Sequence, residues 1–227
     1  MKAFILAAGY GKRLRPLTES TPKPLLTVGG KSLIQYHLEN LAAAGIEEVV
    51  INVHWLADKL IEVLGDGSDW GLQIIWSREG QLLETGGGIR NALPLMGGEP
   101  FLLVNGDIYF DYPFESLVGK SLSGDLARLV LVSNPEHHPQ GDFCLGERGQ
   151  LSRKGDGNDY TYAGAALIDP ALFDDWSSET EAFPLLSPLL TAMNRGLLAG
   201  EVHPGFWEDV GTLERLDALN KKLSSQI

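Results

Sequence analysis

Short apolar runs alternate with segments whose apolar residues recur at helical spacing along the first half of the chain. Ser32 and Gln35 form a capping-box pattern ahead of one such segment, and Gly45 and Gly65 follow the last apolar positions of two of them. The resulting predictions are buried strands at 4–8, 49–53, 72–76 and 101–104, and helices at 33–44, 57–64 and 88–95. This repeated alternation predicts an α/β fold with a mostly parallel central sheet flanked by helices.

The pattern changes after about residue 127, where shorter and less regular pieces follow. They predict strands at 129–132, 162–168, 198–203 and 206–209, hairpin pieces at 143–145 and 149–151, and helices at 184–194 and 212–223. No linker, repeat or low-complexity tract separates the two parts. We therefore predict a single domain over 1–227, in which residues 127–227 form a smaller mixed α+β insertion and one wall of a cleft. We expect no further domain after the closing helix.

The chain is acidic, with 30 Asp and Glu residues against 18 Lys and Arg and a formal net charge of -12. This balance argues against a general nucleic-acid binder or membrane-surface binder, because such proteins are usually basic. The N-terminal apolar run is too short for a signal peptide, and no apolar stretch approaches the length of a membrane span. Cys144 is the single cysteine, so an intrachain disulfide is impossible and a reducing cytoplasm fits.

The first 25 residues reverse this charge balance, with five cations against one acid. Three of the cations, Lys12, Arg13 and Lys23, lie close to Gly9 and Gly11. Glycines let backbone N–H groups approach an anion and cations neutralise it, so this loop predicts a phosphate site. Neither the dinucleotide fingerprint nor the P-loop matches, because each lacks one of its glycines here. The alternative interpretation is an ordinary strand–helix turn with surface cations.

Two acidic residues follow strand-like runs that are far apart in the sequence. Asp107 comes after Asn105 and Gly106, and Asp209 ends the run 206–209. Open α/β sheets bind ligands at the carboxyl ends of their strands, so we expect Asp107 at that edge. A pair of carboxylates suits Mg²⁺, which takes hard oxygen ligands and is completed by waters and substrate phosphates. The alternative for each aspartate is a role in a turn or a helix cap.

Glu84 and Thr85 are followed by three successive glycines, Gly86 to Gly88. Glycines are costly in an ordered segment unless the backbone must lie flat against something, and a nucleobase is a good candidate. The alternative is a flexible loop.

Together these segments resemble the sugar-1-phosphate nucleotidyltransferases, a Rossmann-like family of glycosyltransferase-A shape. The likeness covers essentially the whole chain and is carried by Leu6 to Gly9, Gly11, Arg13, Pro16 to Thr18, Pro22 to Pro24, Asn105 to Asp107 and Asp209 to Thr212.

The resemblance implies a nucleotide-binding half at about 1–126 and a sugar-binding half with the C-terminal helix at about 127–227. The implied nucleotide-binding residues are Ala8, Gly9, Gly11, Lys12, Arg13, Lys23, Glu84, Thr85 and Gly86. The implied sugar-binding residues are Asn105, Asp142, Tyr162, Gly164 and Asp209. The implied catalytic residues are Arg13, Lys23, Asp107 and Asp209, with Mg²⁺ held by the two aspartates.

Within the family, the sequence is most similar to members that use UTP and N-acetylmuramate α-1-phosphate. The segments that carry this likeness are Leu83 to Ile89, Asn134 to Phe143 and Trp207 to Thr212. The likeness implies that the sugar phosphate attacks the α-phosphorus of UTP, with UDP-N-acetylmuramate and pyrophosphate as products, in peptidoglycan recycling. The His137–His138 pair could face the sugar, although a surface turn is the simpler expectation.

One family feature is missing, and other functions stay open. Many relatives hold the sugar phosphate with the lysine of a Glu-Lys-Pro segment, which this chain lacks, and Lys154 lies nearby at a different spacing. Alternative substrate pairs are mannose-1-phosphate with GTP and glucose-1-phosphate with dTTP or UTP. Other classes are a non-catalytic nucleotide-binding regulatory module and a glycosyltransferase, although Tyr109 replaces the second acid of an Asp-x-Asp motif. We expect a cytoplasmic monomer or weak dimer.

Overall fold

The computed structural model of the chain describes residues 1–154, 157–174 and 180–224. Its strands are β1 Ala3–Leu6, β2 Thr27–Val28, β3 Lys31–Ser32, β4 Glu48–Val53, β5 Gln73–Arg78, β6 Phe101–Asn105, β7 Ile108–Phe110, β8 Ala127–Ser133, β9 Cys144–Leu145, β10 Leu151–Ser152, β11 Tyr160–Ile168, β12 Leu198–Val202 and β13 Trp207–Asp209. Its α-helices are α1 Leu17–Ser20, α2 Leu33–Ala43, α3 Ala57–Leu64, α4 Glu84–Met96, α5 Leu186–Asn194 and α6 Leu213–Ser224.

Seven strands form the central sheet in the order β12-β8-β11-β6-β1-β4-β5. Strand β11 is antiparallel to both of its neighbours, whereas all other pairs in this sheet are parallel. The predicted mostly parallel α/β sheet is therefore confirmed. The sheet continues through both halves of the chain, because β8, β11 and β12 belong to the second half.

The central strands are buried on both faces, which is why they read as continuous apolar runs. In β1, Ile5 faces the core shared with α2 and α3, and Phe4 faces the core shared with α4 and α5. The capping box of α2 forms as predicted, because Gln35 Oε1 accepts the backbone N–H of Ser32 at 2.8 Å.

A third apolar cluster holds the C-terminal helix against the start of the chain. Leu216, Leu219 and Leu223 of α6 pack with Val28 and Leu33. Beside them, β7 and β13 form an antiparallel ribbon outside the main sheet, in which Asp209 pairs with Ile108. None of the helices in the described part of the chain is both long and apolar enough to cross a membrane.

Candidate active site

A cleft opens where β1 and β6 end side by side at the carboxyl edge of the sheet. Leu6 pairs with Asn105 in the parallel register, and the N–H of Gly106 donates to Leu6 O at 2.9 Å. Asp107 lies just beyond this point and lines three neighbouring cavities, which we call the arms of the cleft.

The arms differ in volume and in their lining residues. The glycine-loop arm, of about 240 Å³, is lined by residues that include Gly9, Gly11, Lys12, Arg13, Lys23 and Gly211. The α4 arm, of about 440 Å³, is lined by residues that include Ala8, Gly9, Lys23, Glu84, Thr85 and Asn105. The β11 arm, of about 390 Å³, is lined by residues that include Arg13, Asn105, Asp142, Tyr162, Gly164, Asp209 and Arg215.

The glycine loop is held in a fixed shape that carries cations to the cleft. Gly11 has φ +62, and the Thr18 hydroxyl donates to Gly11 O at 2.8 Å. A Cβ at Gly11 would stand 2.8 Å from Thr18 Cγ2, so both the φ angle and the space require glycine here. The next residues, Lys12 and Arg13, lie in a 3-10 turn and are exposed along the glycine-loop arm.

Lys23 and Asp107 form an ion pair at the centre of the cleft. Lys23 Nζ lies 2.5 Å from Asp107 Oδ2, and the lysine side chain is only 11% exposed. The turn into Asp107 is tight, because a Cβ at Gly106 would stand 2.8 Å from Leu6 O. The structure therefore brings together a cation and an acid that are 84 positions apart in the sequence.

Asp209 reaches the same place from the β7–β13 ribbon. The N–H of Val210 donates to Asp107 O at 3.1 Å, so the two aspartates are neighbours across a backbone hydrogen bond. Arg215 Nη2 lies 3.0 Å from Asp209 Oδ1, so the two side chains form an ion pair in the cleft. The Asp209 side chain is partly exposed in the β11 arm, where its carboxylate can accept a further ligand.

A buried polar network supports the wall of the α4 arm. Asn52 Oδ1 accepts the N–H of Ala7 at 2.7 Å, and Asn52 Nδ2 donates to Glu79 Oε1 at 2.7 Å. The other oxygen of Glu79 accepts the N–H of Leu83 at 3.1 Å, just before α4. The network thus fixes the end of β1 relative to the start of α4. Glu84, which lines the arm, has φ +59, a backbone angle that is uncommon for a residue with a side chain.

The structure corrects the prediction for the three glycines. Helix α4 begins at Glu84, four residues earlier than predicted, so Gly86, Gly87 and Gly88 lie buried in its first turns rather than in a loop. Gly86 and Gly87 both donate their N–H groups to Phe183 O, at 2.9 and 3.1 Å. A Cβ at Gly87 would stand 2.2 Å from Glu181 O. These glycines allow close backbone packing, and Gly86 does not line the α4 arm as Glu84 and Thr85 do.

In the β11 arm, an irregular strand exposes polar groups. The register of β11 against β8 shifts between Tyr162 and Ala166, and Gly164 has φ +83 with Asn105 packed against it. Asp142 Oδ2 accepts the N–H of Tyr162 at 2.9 Å. Burial raises the pKa of Tyr162, whose buried hydroxyl has no hydrogen-bond partner in the described part of the chain.

The two histidines lie in an exposed turn, as the surface-turn expectation has it, and the same turn borders the β11 arm. His138 Nε2 lies 3.1 Å from Asp142 Oδ1, and His137 Nε2 lies 3.8 Å from Asp209 Oδ2. Burial, followed by the nearby Arg215 guanidinium, lowers the pKa of His137.

Next to the β11 arm lies an apolar pocket of about 230 Å³. Its walls include Phe143, Leu185 and Leu189, and its polar rim includes Thr85 and Asp142. This pocket, which the sequence did not predict, can receive a small apolar substituent of a ligand in the arm.

Arg215 is the main cleft residue that the sequence interpretation missed. It is the third residue of α6, where a positive charge opposes the helix dipole. A cation in the first turn of a helix is thus a signal that could have indicated a role outside the helix. Lys154, the lysine nearest to the missing family segment, pairs instead with Asp159 and is 61% exposed outside the cleft arms.

The described residues contain no group of three or more His, Cys, Asp and Glu arranged to hold a metal ion. The two aspartates at the centre of the cleft offer hard carboxylate oxygens, which are the ligand type that Mg²⁺ prefers. A magnesium ion here would take only part of its coordination from this chain.

Comparison with solved structures shows the fold. A Bacillus anthracis protein assigned as a glucose-1-phosphate thymidylyltransferase superposes with a TM-score of 0.86 over 99% of this chain and 95% of that one. Because the two sequences are only 21% identical, this likeness shows the fold alone.

Sequence comparison identifies the family. The chain is 46% identical over 222 residues to the N-acetylmuramate alpha-1-phosphate uridylyltransferase of Neisseria meningitidis, covering 95% of each chain. It is 33% identical over 251 residues to an Oryza sativa protein assigned as a mannose-1-phosphate guanylyltransferase, covering 100% of this chain and 68% of that one. A sequence profile of the nucleotidyl transferase family matches residues 2–151. The predicted resemblance is confirmed, and the chain belongs to the nucleotidyl transferase family.

Proposed function

We propose that the chain converts UTP and N-acetylmuramate α-1-phosphate into UDP-N-acetylmuramate and pyrophosphate with the help of Mg²⁺. The observation that carries this proposal is the meeting of the cationic glycine loop, the Lys23–Asp107 pair and Asp209 in one cleft. A triphosphate needs cations and backbone donors, and its metal ion needs acids. The cleft offers these groups side by side.

The chemistry asked of the protein is positioning and charge neutralisation. The sugar phosphate is already ionised, so its oxygen can attack the α-phosphorus without a strong general base. A bond forms between that oxygen and the α-phosphorus, the bond to the bridging oxygen breaks, and pyrophosphate leaves with its electrons. We assign Lys12 and Arg13 to the leaving phosphates, and Lys23 to the negative charge around the α-phosphorus.

Asp107 and Asp209 fit a magnesium ion in their donor chemistry. The placement of both carboxylates along the β11 arm supports this assignment, because carboxylate oxygens that line a cavity can accept a metal ion there. When bound, Mg²⁺ would neutralise phosphate charge and polarise the reacting phosphoryl group. To bind one ion together, the two aspartates must be held close to each other. The hydrogen bond from the Val210 N–H to Asp107 O holds their backbones together.

The choice of sugar rests on the relatives and on the apolar pocket. The Neisseria relative is more similar and of similar length, whereas the guanylyltransferase-like relative from rice is a longer chain. N-acetylmuramate carries the methyl groups of its acetyl and lactyl substituents, which the pocket around Phe143 and Leu189 can bury. Mannose and glucose have only hydroxyl groups, which an apolar wall disfavours.

We also propose that the protein acts in the cytoplasm, where UTP is available, and contributes to recycling of cell-wall sugars. We also propose that the protein is a monomer or a weak dimer.

The proposal is tested by mixing UTP, GTP and dTTP with the 1-phosphates of N-acetylmuramate, N-acetylglucosamine, mannose and glucose, and measuring pyrophosphate. We expect the highest kcat/KM for UTP with N-acetylmuramate α-1-phosphate. A higher kcat/KM for GTP with mannose-1-phosphate would show that the protein is a guanylyltransferase and would contradict the proposed substrates. Binding of nucleotide without any pyrophosphate would indicate a regulatory module, and release of free nucleoside diphosphate would indicate a glycosyltransferase.

A further inference from the structure

We propose that Arg215 binds the phosphate group of the sugar substrate and so takes the role that a lysine has in many relatives. This inference rests on the proposed function, and it names the residue of this chain that meets the second substrate.

Arg215 lies in the β11 arm beside Asp209, the proposed metal-binding carboxylate. Its Nη2 stands 3.0 Å from Asp209 Oδ1, and its side chain lines the β11 arm with Asp107 and Arg13. It also reaches the backbone of Gly211, since a Cβ there would stand 2.0 Å from Arg215 Nη2. Because Gly211 lines the glycine-loop arm, the guanidinium stands at the junction between the two arms.

The guanidinium has an unused donor. The Arg215 side chain is only 16% exposed, and its Nη1 is buried without a hydrogen-bond partner among the described residues. A buried donor without an acceptor is costly, and a phosphate oxygen would remove that cost. The planar fork of arginine can keep Asp209 on one nitrogen while another meets a phosphate.

The distribution of cations points to the same residue. Lys23 lines the glycine-loop arm and the α4 arm, and Lys12 lines the glycine-loop arm alone. Arg13 lines both the glycine-loop arm and the β11 arm, so the triphosphate competes for it. Among the described residues, the β11 arm is lined by two cationic side chains, Arg13 and Arg215. Of these two, Arg215 is the one that does not also line the glycine-loop arm.

Lys154 is the rival candidate, because it lies near the position of the missing family segment. Its Nζ lies 3.3 Å from Asp159 Oδ2, it is mostly exposed, and it does not line the β11 arm. A contact between Lys154 and a sugar phosphate in the β11 arm is therefore not supported by the structure.

The test compares steady-state kinetics of the full chain and four variants with UTP, N-acetylmuramate α-1-phosphate and Mg²⁺. Arg215→Met removes the charge, and Arg215→Lys keeps it without the fork. Arg78→Met is the matched control, because Arg78 also pairs with an aspartate but lies 58% exposed outside the cleft arms. Lys154→Met tests the rival. Thermal unfolding and the dissociation constant for UTP are measured for every variant.

We expect Arg215→Met to raise the KM for the sugar phosphate on the order of tenfold to a hundredfold, the value of a charge-assisted hydrogen bond. The KM and the dissociation constant for UTP should change less than threefold. The sugar-phosphate KM of Arg215→Lys should lie between those of wild type and Arg215→Met. Arg78→Met and Lys154→Met should both have the wild-type sugar-phosphate KM. If Arg215→Met does not fold, the test rests on Arg215→Lys, in which the KM for the sugar phosphate should rise more than the KM for UTP.

Two results would overturn the inference while the proposed function stands. One is an active wild type with an unchanged sugar-phosphate KM in both Arg215 variants, and the other is a selective rise of that KM in Lys154→Met alone. A wild type that releases no pyrophosphate with any sugar phosphate would instead overturn the proposed function and this inference with it.

Discussion

At the scale of single residues, the Lys23–Asp107 ion pair stands at the point where the phosphates must react. We predict that Lys23→Met lowers kcat by about a hundredfold or more, because a preorganised cation at a developing charge is worth ~3 kcal/mol. The melting temperature should change little, because Asp107 is partly exposed and can be solvated without its partner. The measurement is kcat at saturating UTP, sugar phosphate and Mg²⁺.

Lys31→Met is the control for this variant, because Lys31 forms a similar pair with Glu39 at 2.6 Å on the surface. This control should keep the wild-type kcat. A Lys23→Met variant with near-normal kcat would show that the pair does not serve the reaction.

Several site residues could be predicted because their chemistry is visible in the sequence. Gly11, Lys23, Asp107 and Asp209 are residue types with strong preferences for phosphates or metal ions, in segments of recognisable pattern, and the structure brings them to one cleft. Arg215 gave only a weak signal, a cation in the first turn of a helix, because one arginine on an amphipathic helix is usually a surface residue. Its position depends on how α6 packs against the ribbon, which is a tertiary property.

At the scale of elements, the start of α4 connects the fold to the cleft. We predict that Gly87→Ala lowers the free energy of unfolding by about 1–3 kcal/mol, because the new methyl group would collide with the Glu181 carbonyl oxygen. The segment that carries Phe183 and Pro184 must then shift, and Pro184 lines the α4 arm. The KM for UTP should therefore rise. Urea unfolding and steady-state kinetics measure the two effects.

Gly80→Ala is the matched control, because no heavy atom lies within 4 Å of a Cβ at that position. It should leave both the stability and the KM for UTP unchanged. If Gly87→Ala and Gly80→Ala had the same free energy of unfolding and the same KM for UTP, α4 would not need Gly87 for close packing.

Elements with strong periodicity and clear end signals were predictable, and Ala57–Leu64 has the predicted bounds. The start of α4 was missed because glycine has low helix propensity, and here tertiary packing against residues 181–183 overrides that preference. The antiparallel direction of β11 was also not predictable, since a strand buried on both faces has no pattern that reports its direction.

At the scale of the whole molecule, His37 links stability to pH. It is almost fully buried on α2. Burial lowers the pKa of His37 to about 4 from the ordinary 6.5. Between these pH values the unfolded chain binds a proton that the folded chain does not, so stability is lost as pH falls from about 6.5 to about 4.

We predict that this loss amounts to about 3 kcal/mol. The free energy of unfolding, measured in urea at several pH values, should fall more steeply in wild type than in His37→Leu over this window. Carboxylates elsewhere affect both proteins alike, so the difference between the curves isolates His37. Parallel curves would contradict the prediction.

The cleft itself is a property of the whole sheet, because its groups come from β1, β6, β11, the ribbon and two helices. The sequence could indicate that these groups exist, but the strand order that brings residues 9–23, 105–107 and 209–215 together follows from the packing of all seven strands.

The most direct test of nucleotidyl transfer follows the phosphorus atoms of UTP. With label at the α-phosphorus, wild-type enzyme and N-acetylmuramate α-1-phosphate should give labelled UDP-sugar, and with label at the γ-phosphorus they should give labelled pyrophosphate. Asp107→Asn should give neither product at a comparable rate. Recovery of the α-label in free UMP or UDP, or transfer of the γ-label to the sugar, would contradict the account.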